Sequence, residues 1–180
     1  GRAARERIAM KSEDLTELHA IYQLKYRYVR GLDTHDWSLV ASCFTDDARV
    51  WYNDGKFSKE GRETIIAFLS EMLDESFYSS HIVLHPEIEL IDANNAKGIW
   101  RLEDIVHFSG PNSFFGNPPV TGGEEMTGAG YYYDEYVRLS GEWKIASMGY
   151  ARLFEVIDRP DARSQREVDL NPRRGVPATG

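Results

Sequence analysis

The feature that most constrains the fold of this chain is a change in the spacing of its apolar residues near Ser79. Before Ser79, apolar residues recur at steps of three and four, the spacing of one buried face of an α-helix. After Ser79 they alternate with polar residues over long runs, which is typical of β-strands. Helices followed by long antiparallel strands predict an α+β fold, in which a strongly curved sheet wraps around the helices and leaves an apolar pocket.

Three helices are predicted in the first part of the chain. The first begins with Ser12 as N-cap and ends near Gly31, a residue suited to the left-handed C-cap conformation. Asp36 is predicted to cap a short second helix, which residues 45–47 end. The third helix is expected from about residue 59 to residue 73.

Five strands are predicted around and after these helices. The first, residues 48–52, places Val50 and Tyr52 on one face and Arg49 and Trp51 on the other. The remaining four are long, and turn-forming residues separate the members of each pair; they are expected at residues 79–91, 95–108, 125–140 and 142–155. The irregular segment 109–123 is long enough to be a lid or a binding loop.

One domain is predicted, because 180 residues with 42% hydrophobic content are enough for a single core. We expect this domain at residues 12–157, a flexible N-terminal arm at residues 1–11, and an extended or disordered tail at residues 158–180.

Charge and composition exclude several classes of function. A net charge of -8 argues against nucleic-acid binding, which needs a basic surface. No run of residues is long and apolar enough to span a membrane. Cys43 is the only cysteine, so an internal disulfide and a cysteine metal cluster are excluded, and a reducing cytoplasm is the expected location.

Histidines are the first candidates for chemistry, because histidine exchanges protons near neutral pH. His81 and His107 lie on predicted strands, and a regular hairpin between them would let both face the concave side of the sheet. His85 shares the face of His81 by alternation, but Pro86 follows it and can mark a bulge. From the pattern alone, the commoner interpretation is that each histidine is a structural residue and that Asp33 is a cap or a solvated loop residue.

Other chemistries are weakly supported by the sequence. His81, His85 and Glu87 do not have the spacing of a known metal site, and no metal is expected. The glycines at residues 128 and 130 lack the strand–glycine–helix context of a phosphate-binding loop. No serine or cysteine lies in a nucleophile-elbow sequence.

Several motifs together resemble a known family. The chain is similar to the SnoaL-like branch of the nuclear-transport-factor-like cone fold over about residues 12–155. The motifs that carry the resemblance are LDTHDW at residues 32–37, CFTDDA at residues 43–48, SH at residues 80–81, PEIE at residues 86–89, GYY at residues 130–132 and GEWKI at residues 141–145. The resemblance implies a cone-shaped α+β barrel, whose curved, mostly antiparallel mixed sheet wraps around three helices.

The resemblance also implies an activity. The pattern is nearest to scytalone dehydratase and the bile-acid 7α-dehydratases, with hexachlorocyclohexane dehydrochlorinase as a third relative. Asp33 matches the catalytic aspartate of these enzymes, His81 its partner histidine, His107 the second histidine and Tyr52 a pocket tyrosine. These matches imply a lyase that needs no metal or organic cofactor and that eliminates water or halide from a cyclic or polyketide-like ketone.

In the implied mechanism each of the four matched residues has a role. His81 would remove the proton next to the carbonyl, while Asp33 would hold its tautomer. Tyr52 would donate to the carbonyl oxygen, and protonated His107 would assist the leaving hydroxyl.

The substrate is expected to be small and apolar, with an aromatic or other ring. Candidate substrate-binding residues are Trp51, Phe68, Tyr131, Met148 and Arg152, of which Arg152 matches an arginine of the bile-acid enzymes. Leu32 stands where scytalone dehydratase has a second tyrosine, and Tyr131 where it has an asparagine, which argues against scytalone as substrate.

Two alternatives remain open, and the family suggests an assembly. The chain could be an isomerase or cyclase like the ketosteroid isomerases and polyketide cyclases, or a non-catalytic ligand-binding or accessory subunit. An exposed sheet face in such folds implies a homodimer or homotrimer.

Overall fold

The computed structural model describes residues 12–159, which contain three helices and six strands. The elements are α1 (Ser12–Asp33), α2 (Trp37–Cys43), β1 (Phe44–Tyr52), β2 (Phe57–Glu60), α3 (Arg62–Met72), β3 (Phe77–Leu90), β4 (Asn95–Phe108), β5 (Glu125–Leu139) and β6 (Glu142–Asp158). The arm expected at residues 1–11 and the tail from residue 160 lie outside the described residues. Within residues 12–159, no helix is both long and apolar enough to cross a membrane.

All six strands form one open sheet in the order β2-β1-β6-β5-β4-β3. Four of the five neighbouring pairs are antiparallel, and β1 with β6 is the parallel pair. The prediction of an α+β fold, with a mixed and mostly antiparallel sheet beside three helices, is therefore confirmed.

The core lies between the helices and one face of this sheet, called here the inner face. In β4 every second side chain is buried, and these residues include Trp100, Leu102, Val106 and Phe108. Ile21 and Leu24 of α1 pack into the same core. Burying one large apolar side chain is worth about 1.5–3 kcal/mol, so this layer supplies most of the stability.

The first helix continues past its predicted end. Gly31 lies inside α1, and the left-handed residue of the following turn is His35, with φ of 52°. A Cβ at position 31 would lie 2.7 Å from Cγ2 of Val40, so glycine lets α2 approach α1. Asp36 caps α2 as predicted, because its Oδ1 accepts from the Leu39 amide at 2.9 Å. The two additional helical residues, Leu32 and Asp33, place the Asp33 carboxylate beside β3.

The predicted boundaries around β1 are wrong in two respects. β1 begins at Phe44 rather than residue 48, because Phe44 pairs with Ile145 of β6. The short strand β2 was not predicted, and it pairs with β1 from Glu60 to Phe57. That pairing delays the third helix to Arg62. Both differences come from strand pairing that the local sequence does not indicate. β6 is distant from β1 in sequence, and the short β2 has too few residues for a clear alternation.

Candidate active site

Asp33 and His81 are in direct contact. The Oδ1 atom of Asp33 lies 2.6 Å from Nδ1 of His81, and Oδ2 accepts the His81 backbone N–H at 3.0 Å. The Ser79 hydroxyl donates to the same Oδ1 at 2.8 Å. Only 8% of the His81 side chain is exposed. The carboxylate is thus fixed by β3 at three points and in turn fixes the imidazole.

This contact sets the protonation state of His81. An N–H at Nδ1 that donates to Asp33 leaves Nε2 as the nitrogen that can accept a proton. Burial lowers the pKa of His81, but the hydrogen bond and attraction from Asp33, with further attraction from Asp104, outweigh it, and the net shift is upward. The histidine is therefore a stronger base than an ordinary imidazole.

His81 lines a small cavity between α1, α3 and the inner face of the sheet. The cavity volume is about 30 Å³, far below the roughly 150 Å³ of an apolar cavity that binds benzene. Its apolar lining includes Leu32, Leu69, Met72, Phe77, Leu102 and Phe115. A ring-shaped ligand would need some of this lining to move.

Two tyrosine hydroxyls meet at this cavity. The Tyr28 and Tyr52 oxygens lie 3.1 Å apart, so one hydroxyl donates to the other and one proton remains available. Burial raises the pKa of both, and it raises the pKa of Tyr150, another lining residue, to about 12. These side chains are neutral hydrogen-bond donors at physiological pH. Tyr52, predicted as a site residue, lines this cavity.

A buried ion pair completes the polar lining. Arg152 of β6 holds Asp104 of β4 through two parallel hydrogen bonds of 2.6 and 2.8 Å. Burial lowers the pKa of Arg152, but the contact with Asp104 outweighs it and raises the pKa. Space for this pair comes from Gly128, where a Cβ would lie 2.3 Å from Nη1 of Arg152 and 2.6 Å from Oδ1 of Asp104. Arg152, predicted to bind substrate, lines the cavity.

His107 does not join this site. In the antiparallel pairing of β3 with β4, His81 lies opposite Asp104, whereas His107 lies opposite Tyr78. Side chains alternate between the two faces of a strand, so His107, three residues after Asp104, points to the outer face. There its Nδ1 lies 3.2 Å from a carboxylate oxygen of Glu125. The expectation that both histidines share the concave face is wrong.

Two of the proposed substrate-binding residues also lie on the outer face. Trp51 stacks on Tyr133 with ring centroids 5.9 Å apart. Tyr131 lies opposite Arg101, whose guanidinium is 5.4 Å from the Tyr131 ring centroid. The structure therefore separates Trp51 and Tyr131 from the cavity by the thickness of the sheet.

The two other proposed substrate-binding residues are buried but lie beside the cavity lining rather than in it. Phe68 of α3 packs against Phe57 and Phe114, with ring centroids 5.5 and 6.0 Å away. Met148 of β6 is fully buried, and its sulfur lies 3.9 Å from Nζ of Lys25. Both are core residues here.

His85 lies in an irregularity of β3, as the neighbouring proline suggested. The register shifts between Leu84 and Glu87, and His85 has φ of 47° with an exposed side chain. The bulge removes His85 from the face of His81. Across the part of the chain that the structure describes, no three His, Cys, Asp or Glu side chains are grouped to hold a metal ion.

Sequence reasoning missed four polar lining residues: Tyr28, Asp104, Tyr132 and Tyr150. One signal was present, because Asp104 interrupts the buried alternation of Trp100, Leu102 and Val106 in β4. An acid at an otherwise apolar inner position indicates a buried partner. The tyrosines have the same apolar pattern as core residues, so only the cavity distinguishes them.

Comparisons with known proteins agree with this fold. The family model for the SnoaL-like domain matches residues 13–149. Among solved structures, a protein from Novosphingobium aromaticivorans called a putative scytalone dehydratase superposes with a TM-score of 0.69 at 20% identity, covering 84% of this chain and 97% of that one. A type 2 hexachlorocyclohexane dehydrochlorinase gives 0.70 at 19% identity, covering 86% and 97%. A Mycobacterium tuberculosis protein of unknown function gives 0.61 at 22%, covering 86% and 80%. These structures establish the likeness of the fold.

Proposed function

We propose that this chain, which belongs to the SnoaL-like domain family, is a lyase that needs no cofactor and eliminates water or halide from a cyclic or polyketide-like ketone. The observation that carries the proposal is the 2.6 Å contact of Asp33 with His81 at the edge of a mostly apolar cavity. Two similar structures bear the names of enzymes that eliminate water and hydrogen chloride, which supports the same reaction type.

His81 is the general base of the proposed reaction. Its Nε2 takes the proton from the carbon next to the substrate carbonyl, and Asp33 stabilises the imidazolium that forms. A positioned base of this kind contributes about 10²–10⁴-fold in rate. The apolar cavity wall strengthens the interaction, because few water dipoles screen the ion pair.

The tyrosine pair stabilises the charge that develops on the substrate oxygen. Tyr52 and Tyr28 share one hydrogen bond at 3.1 Å and keep one hydroxyl proton for a ligand. When His81 removes the proton from the substrate carbon, negative charge moves to the carbonyl oxygen of the substrate. A hydroxyl already fixed in place stabilises this charge without reorganisation. The Arg152–Asp104 ion pair lies in the same lining and fixes its polar side.

The test is elimination from a panel of cyclic β-hydroxy ketones, starting with 3-hydroxycyclohexanone, by the wild type and by His81→Ala. We expect the variant to lose about 10²–10⁴-fold in kcat. The matched control is His85→Ala, an exposed histidine of the same strand, with unchanged rate expected. Undiminished turnover in His81→Ala would contradict the proposal.

An isomerase is the second candidate, and the position of His107 favours it. Shifting a double bond needs a base and an oxyanion donor but no acid for a leaving group. Since His107 lies on the outer face, the acid first expected for elimination is missing from the cavity. Conversion of 3-cyclohexenone to its conjugated isomer, faster than elimination from the hydroxy ketone, would support this candidate.

A further inference from the structure

Tyr132 lines the cavity, and the mechanism proposed above gives its hydroxyl no role. It lies on the inner face of β5, opposite Trp100, and lines the same cavity as His81. Its side chain is 2% exposed, and its ring meets the rings of Tyr28 and Tyr150 edge to face, with centroids 6.4 and 5.7 Å apart. Burial raises the pKa of the Tyr132 hydroxyl well above its ordinary value, so it carries a proton that it can donate.

Lys25 lies over the face of the Tyr132 ring. Its Nζ is 3.5 Å from the ring centroid, close enough for a strong cation–π contact. The same Nζ lies 2.8 Å from Oδ2 of Asp134, and Lys25 has no exposed surface. Burial lowers the pKa of Lys25, while the attraction of Asp134 opposes that shift. A buried cation on the ring face stabilises negative charge on the phenol oxygen.

Stability alone explains this ion pair poorly. Two buried charges lose their hydration, and well-packed apolar residues in their place are often as stable or more so. Asp134 is also incompletely satisfied, because its Oδ2 accepts from Lys25 and from Tyr136 at 2.6 Å while its Oδ1 has no partner. The Lys25 charge lies over the ring of a tyrosine that lines the cavity, where it can serve chemistry.

We propose that Tyr132 is the acid that protonates the departing hydroxyl, and that Lys25 is a positioning residue that stabilises the tyrosinate formed. The inference rests on the proposed lyase function and supplies the acid that His107 cannot provide. It also assigns the site to elimination of water, since loss of halide needs no proton donor.

The step balances without a co-reactant. His81 takes the α proton, the electrons of that C–H bond form the carbon–carbon double bond, and the β carbon–oxygen bond breaks. The departing oxygen takes the Tyr132 proton and leaves as water. The imidazolium of His81 then returns its proton to the Tyr132 oxygen through that water, which restores both side chains.

A comparison of leaving groups tests the assignment of Tyr132. Chloride leaves without protonation, whereas hydroxide does not. We expect Tyr132→Phe to reduce turnover of 3-hydroxycyclohexanone by about 10²–10⁴-fold and to leave turnover of 3-chlorocyclohexanone within about tenfold of wild type. The ring and its cation–π contact are retained in this variant. An equal loss for both substrates, or no loss for either, overturns the assignment.

Two further variants separate chemistry from structure. Tyr133→Phe is the matched control, because this neighbour lies on the outer face and is 42% exposed, and we expect both substrates to react normally. Lys25→Met with Asp134→Asn removes both buried charges together. Its loss should also be selective for the hydroxy ketone but smaller than that of Tyr132→Phe, since the hydroxyl remains. A loss that is equal for the two substrates would show that Lys25 is structural only.

The two proposals, the lyase function and the role of Tyr132, can fail separately in these experiments. If His81→Ala retains elimination from both ketones, the proposed function itself is wrong. If His81→Ala loses both activities while Tyr132→Phe affects both ketones alike, the function stands and only the role of Tyr132 is overturned. Thermal unfolding of each variant shows whether the fold is intact.

Discussion

Asp33 has several hydrogen-bond partners, and its proposed role in the reaction is to orient one of them, the imidazole of His81. It ends α1, and its carboxylate accepts hydrogen bonds from the Ser79 hydroxyl and from the backbone and ring of His81. The first two contacts fix its position, and the third orients the base. A carboxylate held in this way loses little entropy when the imidazolium forms.

The first prediction concerns pH. Protonated His81 cannot act as a base, so kcat/KM should rise with pH through an apparent pKa above about 6.5, the ordinary value, because Asp33 raises the pKa of His81. Asp33→Asn should move this midpoint to lower pH and reduce the maximum rate. A pH–rate profile of both proteins measures it, and an unmoved midpoint would contradict the assignment.

The same shift affects stability. Because the pKa of His81 is raised in the folded state, its contribution to stability is complete below the unfolded value of about 6.5. The contribution is lost as pH rises through the raised folded value. Urea unfolding of wild type and His81→Gln at several pH values measures the contribution of His81 to the free energy of unfolding. The difference in that free energy between the two proteins should shrink as pH rises.

Gly128 gives the next prediction at this scale. In Gly128→Ala the new Cβ would overlap Arg152 and Asp104, so the ion pair has to separate. Breaking a buried pair costs up to about 3–5 kcal/mol, and we expect both a lower free energy of unfolding and weaker catalysis. Gly110→Ala is the matched control, since its Cβ would make only an ordinary 3.5 Å contact with Ser76. Equal stability of the two variants would contradict the role of Gly128.

At the scale of elements, the segment between β4 and β5 forms part of the cavity wall. Phe115 lines the cavity, and the Asn112 side chain donates to the Met72 carbonyl at 3.0 Å. Arg159, after β6, contacts Glu124 at 3.1 Å and donates to the Pro118 carbonyl. These contacts do not test the expectation that residues 109–123 act as a lid or binding loop. We propose that this segment moves to open the cavity for a substrate.

Removing the Arg159 contacts tests that proposal. A cavity of about 30 Å³ cannot hold a ring, so the wall has to open for a substrate. Arg159→Met removes the ion pair with Glu124, so local opening of this segment costs less free energy. Hydrogen exchange of the backbone amides in residues 109–123 should therefore be faster in this variant. Lys97→Met is the control, since it removes an exposed 3.4 Å pair with Glu135 elsewhere. Equal exchange in both variants would show that Arg159 does not restrain the loop.

At the scale of the whole molecule, the outer face of the sheet is unusually apolar. Ile82, Leu84, Ile105, Phe154 and Val156 are each at least 38% exposed. They lie on β3, β4 and β6, and the register places Thr127 of β5 between Ile105 and Val156. Soluble monomers rarely expose large apolar patches. Arg101 and Glu103 form a 3.6 Å ion pair on this face, so it carries both signs of charge and can complement a second copy. We propose that this face forms the homodimer or homotrimer.

A charge placed in this patch tests the assembly. Phe154→Glu should dissociate the oligomer, because burying an unpaired carboxylate is unfavourable. Sedimentation equilibrium gives the mass of wild type and variant, which also separates dimer from trimer. Leu15→Glu on α1, at another exposed apolar residue, should leave the mass unchanged. A monomeric wild type, or an unaltered mass in Phe154→Glu, would contradict the proposal.

Local sequence determined the order of the elements and several of their ends. Asp36 caps α2 because the bond joins residues three positions apart, and Ser140 with Gly141 forms the β5–β6 turn through positive φ values of 50° and 87°. Alternation also placed Val50 and Tyr52 inside. The same alternation in β4, applied to His107, already puts it on the face opposite to Asp104. Family resemblance supplied the Asp33–His81 pair.

The tertiary structure decided which side chains share the cavity. Asp104 meets Arg152 across 48 positions of sequence, and Lys25 meets Asp134 across 109. Such partners depend on strand register and on the angle at which α1 crosses the sheet, and neither leaves a local pattern. Sequence by itself therefore determined elements and faces, because these arise from neighbours along the chain. The composition of the site was decided only by folding, because its polar groups come from six separate elements, α1, β1, β3, β4, β5 and β6.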